Sequence, residues 1–427
     1  MRQRIIIIGA VVVIIIIALF LVWHFVFSGS GASPATTNNG QTGTLPNVGV
    51  QTGTGNATGA GTTTVGTFPS GNLSGQQNGT GTAVAFGILG NEPVADYFID
   101  AQQNMLAVEP DGKISKTTAG QSAFLSSSPV DNFIAGSFSY NGAKALVSFG
   151  DPAAPQTSVF DVATKAWMPL PVGLISPAWS PSDYRVAYLT SNASSVTETI
   201  ATLDVSKASN KPVVLLTLHA SDLSVKWLDA TRLLIADKPS AYVPSSLWVY
   251  DLSKKTLSAV ISELPGLETA WGIPAGKSGT PVGLVFSAGN TATGGNLHLT
   301  DLSGNAINGL SFLTLPSKCL FANQTSTTAN STSTASYLGI FCAVPNPQSN
   351  FSGSRLPDSY DQMGLFTQDS FVLVNLASGQ VSTIFSNSPT AIDAMDLKIF
   401  NNALFFVNRY DSKLYAISLA STLQSGE

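Results

Sequence analysis

The feature that most constrains this chain is a short pattern that returns seven times along its C-terminal part. An apolar, a mostly polar and an apolar residue are followed by a turn and another strand-like run. The instances are AVEPDGKI, VFDVATKAW, TLDVSKASNKPVVLL, VYDLSKKTLSAVI, LTDLSGNAINGL, LVNLASGQVSTIF and AISLA. Aligned on Glu109, Asp161, Asp204, Asp251, Asp301, Asn375 and Ser418, they lie 52, 43, 47, 50, 74 and 43 residues apart. A unit of this size cannot bury its apolar face alone and must stack on its neighbours. Seven units near a period of about 45–50 residues predict an all-β, seven-bladed β-propeller.

A second pattern precedes the first in most units: strand, turn, strand. It reads FIAGSFSYNGAKALVSFG, PAWSPSDYRVAYLTS, SVKWLDATRLLIAD, TAWGIPAGKSGTPVGLVFSAG and MDLKIFNNALFFVNR. Phe138, Trp179, Trp227, Trp271 and Leu397 precede the turns. The turns carry residues that suit tight hairpins, as in Tyr140-Asn141-Gly142 and Pro181-Ser182-Asp183. Two hairpins per unit give a four-stranded blade, and the tryptophans are expected to pack between blades. PAWSPSDYRVAYLTS resembles the WSPDG-type repeat of TolB-like and WD40-like propellers through Trp179, Ser180, Pro181 and Asp183. In that family the Trp packs between blades and the Ser-Pro-Asp turn shapes the hairpin. The glycine expected after the Asp is Tyr184 here, followed by Arg185; the other units keep only the hydrophobic outline. The whole chain is also similar to single-pass, membrane-anchored surface propellers of bacteria, which implies architecture and location but no reaction.

The repeat predicts how the ring closes. Units one to six have a run after the turn that can serve as an outer strand, such as PVVLLTL or QVSTIFS. The seventh ends at AISLASTLQSGE with little left for one, while AVAFGIL, Ala83 to Leu89, is unclaimed. It is expected to supply the outer strand of the last blade and so remove an exposed edge.

Ahead of the propeller lies a different kind of sequence. Ile5 to Phe27 are apolar except for His24. As a helix these residues span about 34 Å, enough to cross a bilayer. Arg2 and Arg4 precede the run and no Lys or Arg follows until Lys113, so the N-terminus is expected in the cytoplasm and the rest outside. A cleaved signal peptide is the alternative, but its apolar region usually runs about 7–15 residues. From Ser28 to about Thr82 no residue is charged, and Gly, Thr, Asn, Ser and Pro dominate. Such a segment cannot offset the entropy of ordering and is expected to be a disordered stalk with a root-mean-square reach of about 40 Å. The domains are therefore 1–27, a cytoplasmic tip and transmembrane helix; 28–82, the linker; and 83–427, the propeller. Asn-X-Ser/Thr triplets at Asn56, Asn72, Asn78, Asn192, Asn323, Asn330 and Asn350 arise by chance in such a composition.

Charge and motifs narrow the function. A net charge of −5 provides no basic surface for nucleic acid. Three histidines and two cysteines leave little for a transition-metal site, and no cofactor is implied. No G-x-S-x-G elbow occurs, and no glycine-rich phosphate loop opens a helix. The arginines Arg185, Arg232, Arg355 and Arg409 could by count form a sialidase-type triad, but the Ser-X-Asp-X-Gly-X-Thr-Trp box of such enzymes is absent. Asp161, Asp204, Asp251 and Asp301 recur with the fold and are expected to accept backbone hydrogen bonds in turns rather than to bind calcium.

The 74-residue step marks the sixth unit, where two insertions sit: a Ser/Thr-rich stretch from Asn323 to Ala335, and NPQSNFSGSRLPDSYDQMGLFTQD, Asn346 to Asp369. Long insertions on a propeller rim are where function tends to lie. The second carries Arg355, Asp358, Tyr360 and Asp361, the candidate partner-binding residues. Cys319 and Cys342 flank the first insertion at a spacing that fits no redox or zinc motif. Outside a membrane, on adjacent antiparallel strands, they are expected to form a disulfide stabilising the fold by about 3 kcal/mol in the chain-entropy model. The expected function is non-catalytic: a membrane-held binding or scaffold module for a protein, glycan or envelope component. The alternative is a glycan hydrolase or lyase with its site in the central channel.

Overall fold

The computed structural model describes residues 73–76, 84–192, 196–275, 279–289, 294–327, 334–351, 353–386, 388 and 390–419. The apolar run 5–27 lies outside them. Among the described residues no helix is long and apolar enough to cross a membrane.

The described strands form seven antiparallel sheets arranged as the blades of a propeller. Blades 1 to 6 occupy residues 96–124, 133–169, 175–218, 223–265, 268–309 and 319–385, each with four strands paired in chain order. First strands of neighbouring blades touch, so they line the central channel. Blade 7 takes three strands from residues 394–418. Its outer strand is Val84–Ile88, with Phe86, Gly87 and Ile88 opposite Ile417, Ala416 and Tyr415. The ring thus closes without a covalent link, as the unclaimed N-terminal run predicts.

Three details differ from expectation. Leu73–Gln76, within the stretch assigned to the linker, is a strand that pairs outside Val84–Ile88, so blade 7 has five strands and the propeller begins before residue 83. Glu109 stands at the end of the second strand of blade 1, just past Met105–Val108, whereas its six counterparts stand at the ends of third strands; the equivalent position is Thr118. The short turn Pro110-Asp111-Gly112 imitates the later turn so closely that sequence alone misplaced it by one strand. Finally, the hairpin of blade 6 continues into the Ser/Thr-rich stretch, as Cys319–Thr327 paired with Thr334–Pro345. Asn323 helps extend it: its side chain accepts from Ala275 N and donates to Ile273 O of blade 5.

The core is divided among the seams. Seven clusters of buried apolar side chains occupy the described residues, one between each pair of adjacent blades. A strand held between two seams must be apolar on both sides. Second strands such as Arg232–Asp237 (RLLIAD) and Ala403–Asn408 (ALFFVN) therefore carry continuous apolar runs. In blade 4, Leu233 and Ile235 face blade 3 while Leu234 faces blade 5.

The turn chemistry is as predicted. Asp161 Oδ1 accepts Ala163 N and Thr164 N, and Asp251 Oδ1 accepts Ser253 N and Lys254 N. Asp204, Asp301 and Asn375 act in the same way. A side-chain bond from Lys144, with the turn's own N–H groups, lowers the Asp161 pKa to about 2. Gly142 has φ +70°, and a Cβ there would lie 2.3 Å from the Phe98 ring. Tyr184, standing where related repeats carry glycine, is also explained: its hydroxyl accepts from Asn141 Nδ2 of the neighbouring turn, and Lys144 lies over its ring.

Candidate functional site: the connector face and the central channel

Strand order places the links between blades and the second-to-third-strand turns on one face, here the connector face. The insertion at 346–368 is such a turn, in blade 6. It folds back on itself around a short helix, Asp358–Asp361. Phe351, Leu356 and Tyr360 join the core of the blade 5–6 seam. Asp358 reaches blade 4, accepting Ala241 N at 2.5 Å and Ser240 Oγ at 3.3 Å. Arg355 stacks over Tyr242 of the same turn, 4.9 Å from the ring centre. The insertion is therefore a lid seated on blades 4 to 7.

Its anchor is a buried ion cluster. Lys318 precedes the first strand of blade 6 and is fully buried. Its Nζ lies 2.8 Å from Asp369 Oδ2, 2.5 Å from Asp393 Oδ1, 3.0 Å from Tyr360 Oη and 3.1 Å from Thr367 Oγ1. Arg409, from blade 7, donates to Asp393 Oδ2 at 2.8 Å and to the Tyr360 carbonyl at 2.9 Å, and stacks on the Tyr360 ring. Two cations thus meet two carboxylates, and Tyr360 Oη donates to Asp393 Oδ1. Burial alone would push the Lys318 pKa down; the Asp369 and Asp393 carboxylates outweigh it and hold it above the ordinary lysine value. Burial disfavours ionised Asp393 too, but Lys318, Tyr360 and Arg409 keep its pKa below the usual carboxylate range. Asp369, with one cation fewer, is held above it by burial.

The four candidate partner-binding residues have separate fates. Tyr360 points into the protein, Asp358 pins the lid to blade 4, and Arg355 covers Tyr242. Asp361 stays at the surface, its pKa raised by burial of the carboxyl and by Asp358. The residues that the lid and neighbouring turns expose are ones that sequence reasoning passed over. Met363, Phe366 and Tyr410 form one patch: the Phe366 and Tyr410 rings lie 5.3 Å apart, and Arg409 contacts both Phe366 and Met363. Tyr242, beside Arg355, is 64% exposed, Met363 55% and Tyr410 48%. Surface aromatics brought together from separate blades leave no local pattern in the sequence.

Cys319 and Cys342 are directly opposite on the first two strands of blade 6 and form a disulfide, with Cα atoms 4.2 Å apart. It lies one residue beyond Lys318, beneath the lid.

The described arginines do not converge. Arg185 bonds Asp183 and the Ala230 carbonyl and stacks on Trp227. Arg232 pairs with Asp229 at 2.5 Å, Arg355 lies on Tyr242, and Arg409 is in the cluster. Among the described residues no three His, Cys, Asp or Glu side chains are grouped to hold a metal ion.

The tryptophans of blades 3 and 4 act as inter-blade hooks. Trp179 Nε1 donates to the Ser137 carbonyl of blade 2 and Trp227 Nε1 to the Ala178 carbonyl of blade 3. Trp271 of blade 5 breaks the series. Its ring lies against the Gly283 backbone, where a Cβ would be 2.7 Å away, and its Nε1 has no partner. It borders a cavity of about 530 Å³ between the first strands of blades 4, 5 and 7.

Fold and site together define a seven-bladed β-propeller with a lid seated over blades 4 to 7 of one face. Comparison with known proteins finds no matching family model and no matching curated protein. Among solved structures the chain is similar to an oligogalacturonate lyase from Vibrio parahaemolyticus, with TM-score 0.52 and 10% identity over 83% of this chain and 98% of that one. It is also similar to an oligogalacturonate lyase in complex with manganese, with TM-score 0.52 and 11% identity over 82% and 97% of the two chains. At such identity the likeness is one of fold.

Proposed function

We propose that the chain is a membrane-held, outward-facing binding module that engages a protein partner through its connector face. The observation that carries this reading is the exposed set Tyr242, Met363, Phe366 and Tyr410 around Arg355 and Arg409. Tyr, Phe, Met and Arg are the side chains enriched at interfaces, where a few aromatic anchors supply most of the affinity. The lid beneath is pinned at both ends, so the surface is held in shape before contact and loses little entropy on binding. The apolar run 5–27 behind Arg2 and Arg4 supports a membrane anchor, and the uncharged segment after it supports a stalk.

A second reading is a glycan hydrolase or lyase acting in the central channel. Carboxylates from several blades border the cavity beside Trp271: Asp237, Glu268 and Asp396. No described arginine joins them, so a sialidase-type arginine clamp has no support here.

The test is proximity labelling from the intact chain on cells, compared with Phe366→Ala/Tyr410→Ala. The expected result is a reproducible protein neighbour that the double variant loses while its melting temperature is unchanged. Identical neighbours for both proteins, or glycan cleavage by the purified chain, would overturn the proposal.

A further inference from the structure

The cavity beside Trp271 has the chemistry of a ligand site distinct from the connector-face patch. It is bordered by Lys226 and Trp227 of blade 4, Glu268 and Trp271 of blade 5, Ser317 ahead of blade 6 and Asp396 of blade 7. At about 530 Å³ it is within the range of small-molecule sites.

Among the described side chains, three buried polar atoms have no hydrogen-bond partner, and all three belong to residues of this cavity: Glu268 Oε2, Trp271 Nε1 and Asp396 Oδ2. Buried polar groups are nearly always satisfied, so their coincidence at one place is informative. Glu268 Oε1 accepts Ser317 N at 2.6 Å, leaving Oε2 idle. Asp396 Oδ2 is ion-paired at 3.1 Å with Lys398 Nζ, an ammonium it shares with Asp96 and the Tyr97 carbonyl. By the register of the two bonded tryptophans, Trp271 would donate to the Lys226 carbonyl, and it does not.

The charges around the cavity are unequal. Asp237, Glu268 and Asp396 face a single lining cation, Lys226. Lys398 stands behind Asp396, but it serves Asp96 as well. Burial first, and then Asp361 of the lid, hold the Glu268 pKa above the usual carboxylate range, so a cation placed beside it would stabilise its ionised form. The idle Glu268 oxygen calls for a donor and the idle indole N–H for an acceptor, and three lining carboxylates around one lining lysine favour a cation. The Trp227 and Trp271 side chains supply the apolar surface on which a ring can rest.

We infer that the cavity binds a small hydroxylated organic ammonium of the amino-sugar type. Its ammonium lies between Glu268 and Asp396, and a hydroxyl oxygen accepts the Trp271 N–H. This inference does not depend on the partner proposed for the outer face.

The probe is glucosamine, with glucose as the twin that keeps the hydroxyls and lacks the charge. Ligand-observed NMR titration uses the full chain in detergent. Glucosamine is expected to bind saturably and at least tenfold more tightly than glucose. Glu268→Gln, whose amide oxygen can still accept Ser317 N, is expected to erase that difference without lowering the melting temperature. Trp271→Phe is expected to weaken both sugars a fewfold. No saturable binding of glucosamine, equal binding of the two sugars, or an unchanged preference in Glu268→Gln would overturn the inference and leave a water-filled channel.

Discussion

Two neighbouring seams of the ring hold the same ingredients, one lysine and two aspartates, with different outcomes. At the blade 6–7 seam, Lys318 meets Asp369 and Asp393 with none of the three side chains exposed. Arg409 supplies a second cation, and Tyr360 and Thr367 supply further hydrogen-bond partners. At the blade 7–1 seam, Lys398 meets Asp96 and Asp396 with no second cation, and two of the side chains are more than a quarter exposed. Burial there outweighs Lys398 and pushes the Asp96 pKa up to about 7. A balanced, closed cluster fastens the lid; an unbalanced, wetter one closes the ring and shares one ammonium between two carboxylates.

Removing each lysine should separate the two seams most strongly. Lys318→Met leaves two aspartates buried in apolar surroundings, and a loss of about 3–5 kcal/mol is expected in denaturant unfolding. Lys398→Met is expected to cost less, because Asp96 can take up a proton near neutral pH. Equal losses would show that the two seams do not differ as described. The disulfide follows in size. Cys319→Ser with Cys342→Ser is expected to cost about 2–4 kcal/mol. Because Lys318 adjoins Cys319, combining this pair with Lys318→Met is expected to give less than the sum of the separate losses.

The pH dependence sharpens the contrast. The pKa of Asp96 is higher in the folded than in the unfolded protein, so the native state holds the proton more tightly between about pH 4 and 7. Its contribution to stability is complete below the unfolded pKa and is lost as pH rises through 7. Asp96→Asn is therefore expected to flatten the fall in stability over that window, by an amount on the order of 2 kcal/mol. The Lys318 cluster works in the opposite sense through Asp393, whose depressed pKa withdraws stability as the solution becomes acidic. If Asp96→Asn left the profile unchanged, the second seam would be as balanced as the first. The smallest effect is expected at the lid's far anchor. Asp358→Ala should cost about 1 kcal/mol and should speed hydrogen exchange across 355–363, leaving blades 1 to 3 unaffected.

Much of the ring was legible beforehand because blades repeat local rules. Asp161, Asp204, Asp251 and Asp301 mark the end of a third strand, since an aspartate there can accept the N–H groups of the turn that follows. The lone run Ala83–Leu89 was assigned to blade 7 because a propeller short of one outer strand must borrow it. Where local rules had a look-alike the reading slipped, as at Glu109. Where a segment had no apolar pattern, as at Leu73–Gln76, the strand went unseen. The insertion in blade 6 was recognised by its length, yet the roles of its residues were not. Nothing in the sequence around Tyr360 shows that it turns inward to meet Lys318, 42 positions earlier, and Asp393, 33 positions later.

The number of blades, the closing strand and the cysteine pair are all readable along the chain, because each follows from periodicity or from pairing between adjacent strands. Which charged residues become internal clamps, and which polar atoms stay unpartnered beside the channel, is set by the closed ring. Burial and electrostatic balance depend on groups that the closed ring brings together from distant blades, and no local spacing records them.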